Sequence, residues 1–553
     1  MSSLALLLIS VGVCLCGYLF YGRWLAKKWG IDVNAKTPAT TMNDGVDYAP
    51  HPKFDVFSHQ FSTIAGAGPI TGPIIAATFG WMPVVLWILV GGIFFGAVQD
   101  FLSLYASVKE DGKSIGMLIE KYIGKTGKQT FLLFSWLLCM LVMAAFIDIV
   151  AGTFNGVDAN GVSNFINSST ASISVFFTFI AVAFGYFTHK VKLNQIVKAV
   201  LGILLLVIMC VVGISFPITL SKNMWIFLIA LYMFVVSILP MWALKMPRDY
   251  FCFFLLFGVM IVSVLGIILI NPSIGLNSFN GFYSSDGKFF FPFLFITVAC
   301  GSVSGFHALV SAGTTSKAVS KESDMLFVGY GAMLLECVLA VVSVIAVAIL
   351  STGNLLPKGT PFQVFSTSVG SFFSHFGFSQ DIANCIVAMS ISTFALSSLD
   401  AVGRIGRMSF CEFFTTQNEN KSVTEKVLTN NYFSLFLTLL GGFALCLGGY
   451  RKIWVLFGAA NQLCVALVLM SLLVFLKSTK RNEKMLYIPV AFMFIVTLVA
   501  LITTIISIFN KIFIGGNFVF LVDGLQLVVA IALVVLALEV LYCSVKKLRN
   551  KTA

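Results

Sequence analysis

The stretch "IAGAGPITGPIIAATFG", Ile64–Gly80, places four glycines and two prolines within seventeen residues. It lies in a segment that is otherwise apolar enough to cross a membrane. Pro69 and Pro73 lack a backbone donor, and Gly66, Gly68 and Gly72 accept torsions that other residues resist. Backbone that leaves a helix at membrane depth is tolerated only where protein or a water-filled cavity satisfies its polar groups. The segment therefore predicts a broken span, whose freed carbonyls can ligate a cation and whose exposed amides can receive a carboxylate. A kinked helix with small residues for close packing is the plainer alternative.

The whole chain supports a membrane setting. Of its 553 residues 58% are hydrophobic and 10% charged, and the mean hydropathy is +0.97, far from soluble domains. The apolar runs are continuous for about 20 residues and do not alternate, which favours helices over a barrel. Fifteen segments are predicted: 4–22, 60–79, 83–107, 130–154, 171–188, 197–219, 224–244, 250–270, 292–312, 325–350, 381–400, 428–448, 453–476, 485–509 and 517–544. With the N-terminus outside and the C-terminus cytoplasmic, all but six of the 35 Lys and Arg residues fall in inner loops, the exceptions being Lys222, Lys288, Lys358, Arg451, Lys452 and Lys511. That asymmetry is the positive-inside pattern. "MSSLALLLIS" has no basic n-region, so a cleaved signal peptide is not expected.

Several function classes lose support. The net charge of +12 is dispersed among short loops, which argues against a nucleic-acid partner. HExxH, GxSxG and Walker A sequences are absent, so neither an enzyme nor an ATP-driven pump is expected. The twelve cysteines lie in or beside spans without metal-ligand spacing, so no metal, cofactor or disulfide framework is expected.

Transporters built from inverted repeats carry broken spans at corresponding positions. The seventh span reads "VVSILPMWALKMPRDY", Val235–Tyr250. It follows the second by five spans, and an odd offset reverses its direction across the membrane. The predicted architecture is all-α and polytopic, a single membrane domain over 1–553. Its five-plus-five core consists of a first repeat, 60–219, and a second, 224–400, with 4–22 and 428–544 peripheral. The two breaks make Gly66, Ala67, Gly68, Pro69, Ser237, Pro240 and Trp242 candidates for substrate binding.

The ninth span, "ITVACGSVSGFHALVSAGTTSK", Ile296–Lys317, adds Ser302, Ser304 and His307 in an apolar setting. An imidazole there suits proton coupling or substrate binding, or serves as an interhelical hydrogen-bonding group. Asp100 in "GAVQDF" and Glu336 in "GYGAMLLECVLA" lie well inside spans. Each is a candidate proton carrier or one half of a structural pair with Arg404, Arg407 or Arg248. In "LDAVGRIGR", Asp400 and Arg404 at i and i+4 predict an ion pair on one helix face. Arg248 and Asp249 are predicted at the inner membrane face, as anchors or as an inner gate, and Asn461 and Gln462 as interhelical hydrogen-bonding residues. "FQVFSTSVGSFFSHFGF", Phe362–Phe378, predicts an interfacial helix over the extracellular mouth.

"NDGVDYAP" at Asn43–Pro50, "HQFSTIAGAGPITGP" at His59–Pro73, "GAVQDF", "SILPMWALKMPRDY", "ACGSVSGFHALVSAGTT" at Ala299–Thr315 and "FGAANQL" at Phe457–Leu463 together resemble the carbon starvation protein A family. Ser316 and Val402 depart from its expected pattern, beside the motifs rather than in them. The resemblance implies a secondary transporter with the LeuT-type fold, related to the amino acid/polyamine/organocation superfamily. It also implies peptide uptake during carbon starvation or, as in close relatives, uptake of pyruvate with protons. By position, spans 2 and 7 would hold substrate, and span 9 a coupling cation against span 2.

The expectation is a symporter in the cytoplasmic membrane that imports small peptides by alternating access, driven by a proton or sodium gradient. Its binding residues include His307, and Asp100, Ser302, Ser304, His307 and Glu336 serve coupling. A pyruvate or monocarboxylate–proton symporter is the near alternative, and a membrane ligand sensor or channel the distant one.

Overall fold

The computed structural model describes residues 2–550 except 33–34, 46–47, 158–160, 162, 192–193, 240–242, 285–286, 416–422, 447–449 and 516–522. Among the described residues the chain is helical, with isolated bridges in place of strands. Among these described residues eleven helices are long and apolar enough to cross a membrane, and Gly68–Phe79, Lys222–Ile238 and Asn431–Cys446 are shorter apolar helices.

We number the helices α1 (Ser3–Trp29), α2 (Lys53–Ile64), α3 (Gly68–Ala76), α4 (Trp81–Lys109), α5 (Ile115–Tyr122), α6 (Lys125–Thr153), α7 (Phe165–Lys190), α8 (Gln195–Ser215), α9 (Lys222–Ile238) and α10 (Lys245–Ile270). They continue with α11 (Phe290–Thr297), α12 (Ala299–Ser302), α13 (Gly305–Gly313), α14 (Glu322–Leu350), α15 (Pro361–His375), α16 (Gln380–Phe414), α17 (Asn431–Cys446), α18 (Tyr450–Ser478), α19 (Tyr487–Asn510) and α20 (Leu525–Asn550).

The second span is broken where its glycines and prolines lie. α2 stops at Ile64, Gly66 N–H bonds to Ile64 O at 2.8 Å, and α3 begins at Gly68 with Pro69 in its first turn. This start suits Pro69, whose missing N–H would be unpaired there in any case. Gly68 and Gly72 then permit an approach that no other residue allows: a Cβ would overlap the Cys300 side chain at Gly68 and the Thr297 carbonyl at Gly72. The span against α3 is thus the ninth, rather than the seventh as the sequence suggested. The ninth span is itself broken twice, at Val298 and at Val303–Ser304, where both residues of the second break are extended.

One order of elements occurs twice. A broken helix (α2–α3, then α11–α13) leads to a long helix with a wide, π-type turn (Gly92–Gly96 in α4, Leu326–Gly331 in α14), a short helix (α5, then α15) and another long one (α6, then α16). The 17-residue α9 and 26-residue α10 match the 16-residue α17 and 29-residue α18. Between α6 and α9 the first series carries an extra hairpin, α7–α8, which faces lipid along most of its second helix. In α8, Gly202, Leu206, Met209 and Gly213 form a single buried seam, a helical stripe. Val200, Leu204, Val207 and Val211 lie exposed on the other side, as membrane surfaces require.

Candidate functional site

Beside the crossing of the two broken spans, α4 and α14 approach each other through small residues. A Cβ on Gly92 would overlap the Cys337 sulfur, and one on Gly329 would lie 2.9 Å from Phe101 Cα. This contact sets Asp100 and Glu336 next to each other, each shortly after the wide turn of its helix, a distortion common at functional sites. His307, in the first turns of α13, fits between them. Its Nδ1 lies 3.2 Å from Asp100 Oδ2 and its Nε2 3.6 Å from Glu336 Oε2. All three side chains are fully buried, and Asp100 Oδ1 and both Glu336 oxygens have no hydrogen-bond partner. Two carboxylates and one imidazole cannot all be charged without leaving a buried charge uncompensated. The natural chemistry of the cluster is gain and loss of a proton.

Side chains from other helices hold the start of α13. Asn461 of α18 accepts the Phe306 N–H at 3.0 Å through Oδ1 and donates to Ser304 Oγ at 3.0 Å, while Gln99 Nε2 donates to Ser304 O at 2.7 Å. Asn461 therefore acts as a cap supplied from another helix, and Gln462 likewise donates to Phe295 O. Ser302 Oγ donates to Val298 O at 2.6 Å. The two serines expected to bind an ion thus have their hydroxyls engaged in shaping the break.

A second buried cluster, missed in the sequence, lies against α2. His59 Nδ1 is 2.7 Å from Asp249 Oδ2, and Lys245 Nζ is 3.4 Å from the same oxygen. Lys245 Nζ also donates to Thr63 Oγ1 at 3.2 Å and Ser397 O at 3.5 Å, and the Ser397 hydroxyl donates to Asp249. A buried ammonium is therefore lodged between the end of α2 and the middle of α16. Next to it Arg248 Nη1 lies 2.6 Å from Asp400 Oδ2 and also reaches the Tyr232 hydroxyl. This corrects the expected Asp400–Arg404 pair: Arg404 instead donates to Val236 O, at 2.9 Å, and to Leu239 O, carbonyls that the end of α9 leaves without helical partners. Asp249 and Arg248 are core groups rather than surface anchors.

The remaining candidates divide. Gly66 and Ala67 lie in the break, and Gly68 and Pro69 open α3 beyond it, all buried. A Cβ on Gly66 would lie 2.5 Å from Ser398 Oγ, and Ser398 Oγ donates to Thr63 O at 2.8 Å. Ser237 is buried on α9 with no hydrogen-bond partner and packs on Gly403, five residues along α16 from Ser398. Pro240 and Trp242 lie outside the described residues.

One end of the bundle is closed. Thr37 Oγ1 donates to Val319 O at 2.6 Å, His51 N to Ala318 O at 3.0 Å and Ala49 N to Lys317 O at 3.2 Å, so Thr37, Ala49 and His51 lie over the exit of α13. Lys109 Nζ pairs with Glu322 at 2.6 Å. Glu110 bonds Lys121 and Tyr122, each at 2.5 Å. Burial pushes its carboxyl up, but those two bonds and the nearby Lys113 outweigh burial and hold it below the usual carboxylate range.

The sequence matches the description "Carbon starvation protein CstA" over residues 2–357 and 352–500. The chain belongs to the CstA family. Among its relatives, "Peptide transporter CstA" of Escherichia coli K12 is 29% identical over 90% of this chain and 80% of its own length. "Pyruvate/proton symporter BtsT" of the same strain is 35% identical over 65% of this chain and 51% of its own length. The match thus spans about half of BtsT. "Peptide transporter CstA" of Bacillus subtilis is 29% identical over 90% of this chain and 89% of its own length. The fold is that of LeuT-type transporters. The manganese transporter of Eremococcus coleocola, in a mutant form, superposes with a TM-score of 0.54 at 11% identity, over 92% of this chain and 99% of its own. MhsT in complex with L-phenylalanine gives 0.52 at 12%, over 82% of this chain and 99% of its own. The chain is a multi-pass membrane protein of a transporter family.

Proposed function

We propose that this CstA-family protein imports small peptides across the cytoplasmic membrane by alternating access, coupled to protons, with its N-terminus outside. The Asp100–His307–Glu336 cluster carries the reading, because it is a buried group of titratable side chains with unpaired acceptor atoms, placed against a broken helix. The names of the relatives supply the substrate class, and the family name suggests use during carbon starvation. Lys245 favours protons over sodium: its ammonium already takes the oxygens of Thr63, Ser397 and Asp249, which would otherwise suit a bare cation. On this reading the repeats are 53–270, interrupted by the α7–α8 hairpin, and 290–478. The central site lies at the break Ala65–Ala67 and the facing breaks at Val298 and Val303–Ser304.

The likeness to BtsT supplies a second reading, pyruvate uptake with protons. The deciding experiment is uptake of labelled alanyl-alanine and labelled pyruvate into proteoliposomes under imposed pH or sodium gradients. Accumulation of the peptide driven by the pH gradient, abolished by a protonophore and indifferent to sodium, is expected. Accumulation of pyruvate alone would support the second reading. Passive equilibration of both under every gradient would point to a channel or sensor and overturn both.

A further inference from the structure

A groove of about 510 Å³ runs between α1, α10 and α14. Leu15, Ile261 and Leu265 stand exposed along its rim, so its mouth opens to lipid. Its walls include Leu15 and Tyr18 of α1, Phe257 and Ile261 of α10, and Leu334 and Val338 of α14. Among the described lining residues only Tyr18 and Cys14 carry a polar side-chain atom. The space persists where Gly331, at the end of the wide turn of α14, puts no side chain into it. From Phe327 to Val338 α14 travels about 16 Å at roughly 1.5 Å per residue, close to the roughly 15 Å of hydrocarbon in one leaflet. The groove ends at Phe327, whose ring stacks on Phe57 of α2 at 4.4 Å. Lys53, one turn before Phe57, lays its ammonium 4.7 Å from the centre of the Phe327 ring, and its side chain is 50% exposed. It follows His51 by two residues, which sets this end of the groove at the closed end of the bundle. Arg23, also exposed, lies five residues beyond Tyr18 on α1, and its charge acts on that residue.

We propose that this groove holds one acyl chain of an anionic phospholipid from the leaflet at that end, with Lys53 and Arg23 receiving the phosphate. The second chain stays in the bilayer. Apolar walls over the length of one leaflet suit a hydrocarbon chain, whereas the polar groups of a peptide or sugar would go unpaired there. The Lys53 stem crosses the Phe327 ring and carries its charge to the level of the headgroups, as long basic side chains do at membrane surfaces. Its present partner gives way readily. Asp324 lies 3.8 Å away, beyond hydrogen-bond distance, and at 16% exposed it is not stranded when the ammonium turns to a phosphate. Asp55, two residues along α2, is matched by Lys198 at 2.8 Å. Lys53 and Arg23 against Asp324 thus leave one positive charge at the mouth, which a singly charged lipid neutralises and a zwitterionic lipid does not. The chain also reaches the elements that carry both buried clusters: Phe57 lies two residues before His59, and Leu334 and Leu335 directly precede Glu336. A bound lipid therefore braces α2 against α14.

The test is native mass spectrometry of the full-length protein released from membranes of equal phosphatidylglycerol and phosphatidylcholine with matched chains. Wild type is expected to retain one phosphatidylglycerol, at least about fivefold in preference to phosphatidylcholine. The double variant Lys53→Gln/Arg23→Gln should still hold a lipid, since the walls are unchanged, but with a preference below about twofold. Ile261→Trp, which brings an indole from the exposed rim into the groove, should lose the bound lipid of either kind. Val207→Trp, exposed to lipid on α8, should keep it. Should Ile261→Trp fail to fold, Leu15→Trp blocks the groove from the opposite wall with the same expected loss. Added phosphatidylglycerol should raise the melting temperature of wild type and leave that of the blocked variant unchanged. Retention of no lipid by wild type, equal retention of the two lipids, or an unchanged preference in the double variant would overturn the site. A dimer that dissociates in Ile261→Trp would assign the groove to a second copy of the chain and overturn it as well. None of these readouts requires transport, so the site stands or falls apart from the peptide and pyruvate readings.

Discussion

Replacing Glu336 with Gln tests proton coupling at its most exposed point. Glu336 is fully buried, both its carboxylate oxygens lack a hydrogen-bond partner, and it faces His307 at 3.6 Å. Gln keeps the volume and removes one titratable group, so the cluster has one proton fewer to exchange. The structural penalty is that of a rearranged buried polar group, about 1–3 kcal/mol, smaller than typical fold stability. The functional loss is larger. One proton moving down a gradient of two pH units supplies about 2.7 kcal/mol, which supports roughly hundredfold accumulation of a neutral solute. Glu336→Gln should bring the accumulation ratio in proteoliposomes close to one, while exchange of internal for external labelled peptide continues, since exchange requires no net proton movement. Unchanged accumulation in Glu336→Gln would refute the assignment of the proton to this cluster, and loss of exchange as well as accumulation would show that Glu336 serves binding instead.

Three further outcomes follow from individual contacts. Lys245→Ser removes the ammonium from between Thr63 and Ser397 and leaves a hydroxyl and space, so uptake should become stimulated by sodium; a variant that remains indifferent to sodium would show that Lys245 does not stand in a cation site. Gly72→Ala forces a methyl against the Thr297 carbonyl and within 3.2 Å of Val298 Cα, backbone atoms that cannot rotate away. It should lower stability by about 1–3 kcal/mol and depress uptake, whereas Gly12→Ala, with nothing within 4 Å, should leave the melting temperature unchanged or slightly raised. The depressed carboxyl of Glu110 contributes stability that is present above the ordinary carboxylate range and is lost as pH falls through its lowered folded value. Because its partners Lys121 and Lys113 are largely exposed, the effect is under about 1 kcal/mol, and it should appear as reduced protection of the α5 amides, relative to their intrinsic exchange rates, upon acidification, absent in Glu110→Gln.

Much of the fold is legible because membrane helices announce themselves by composition, and the break at Ala65–Ala67 because Gly and Pro have few other uses at that depth. The ninth-span breaks are harder to see. They contain no proline, and Val303 and Ser304 are extended because Gly301 and Gly305 fit tightly against Ala340 and Cys464, contacts supplied by α14 and α18. Asp100, His307 and Glu336 each stand out as an isolated polar group in apolar sequence. Their meeting does not, since it depends on the α4–α14 crossing. Hydropathy puts His59, Lys245 and Asp249 at the inner edge because it reports composition, not depth, and only the packing of α2 and α16 over the first turn of α10 buries them. The i, i+4 spacing of Asp400 and Arg404 is a fair local signal, overridden where Arg248 reaches Asp400 from α10 and the end of α9 leaves carbonyls for Arg404.

The two buried clusters are joined through a single pair of half-helices. Gln60 Nε2 donates to Ser311 Oγ at 2.9 Å, Thr315 Oγ1 donates to Gln60 Oε1 at 2.5 Å, and His59 Nε2 lies 3.2 Å from Thr314 Oγ1, so α2 is bonded through the adjacent pair His59–Gln60 to α13 and the turn beyond it. His59 holds this pair to α10 through Asp249, and His307 holds it to α4 and α14. On the proposed reading, a charge change at His307 alters the grip on α13, and α2 must follow. The measurable consequence is non-additivity. In a double-mutant cycle on the rate of exchange, Asp249→Asn and Glu336→Gln should differ from the sum of their single effects by about 0.5–3 kcal/mol, the range expected for sites in one network. Agreement within about 0.3 kcal/mol, as found for independent sites, would mean that the hydrogen bonds of Gln60 and Thr315 transmit nothing and that the two clusters work apart.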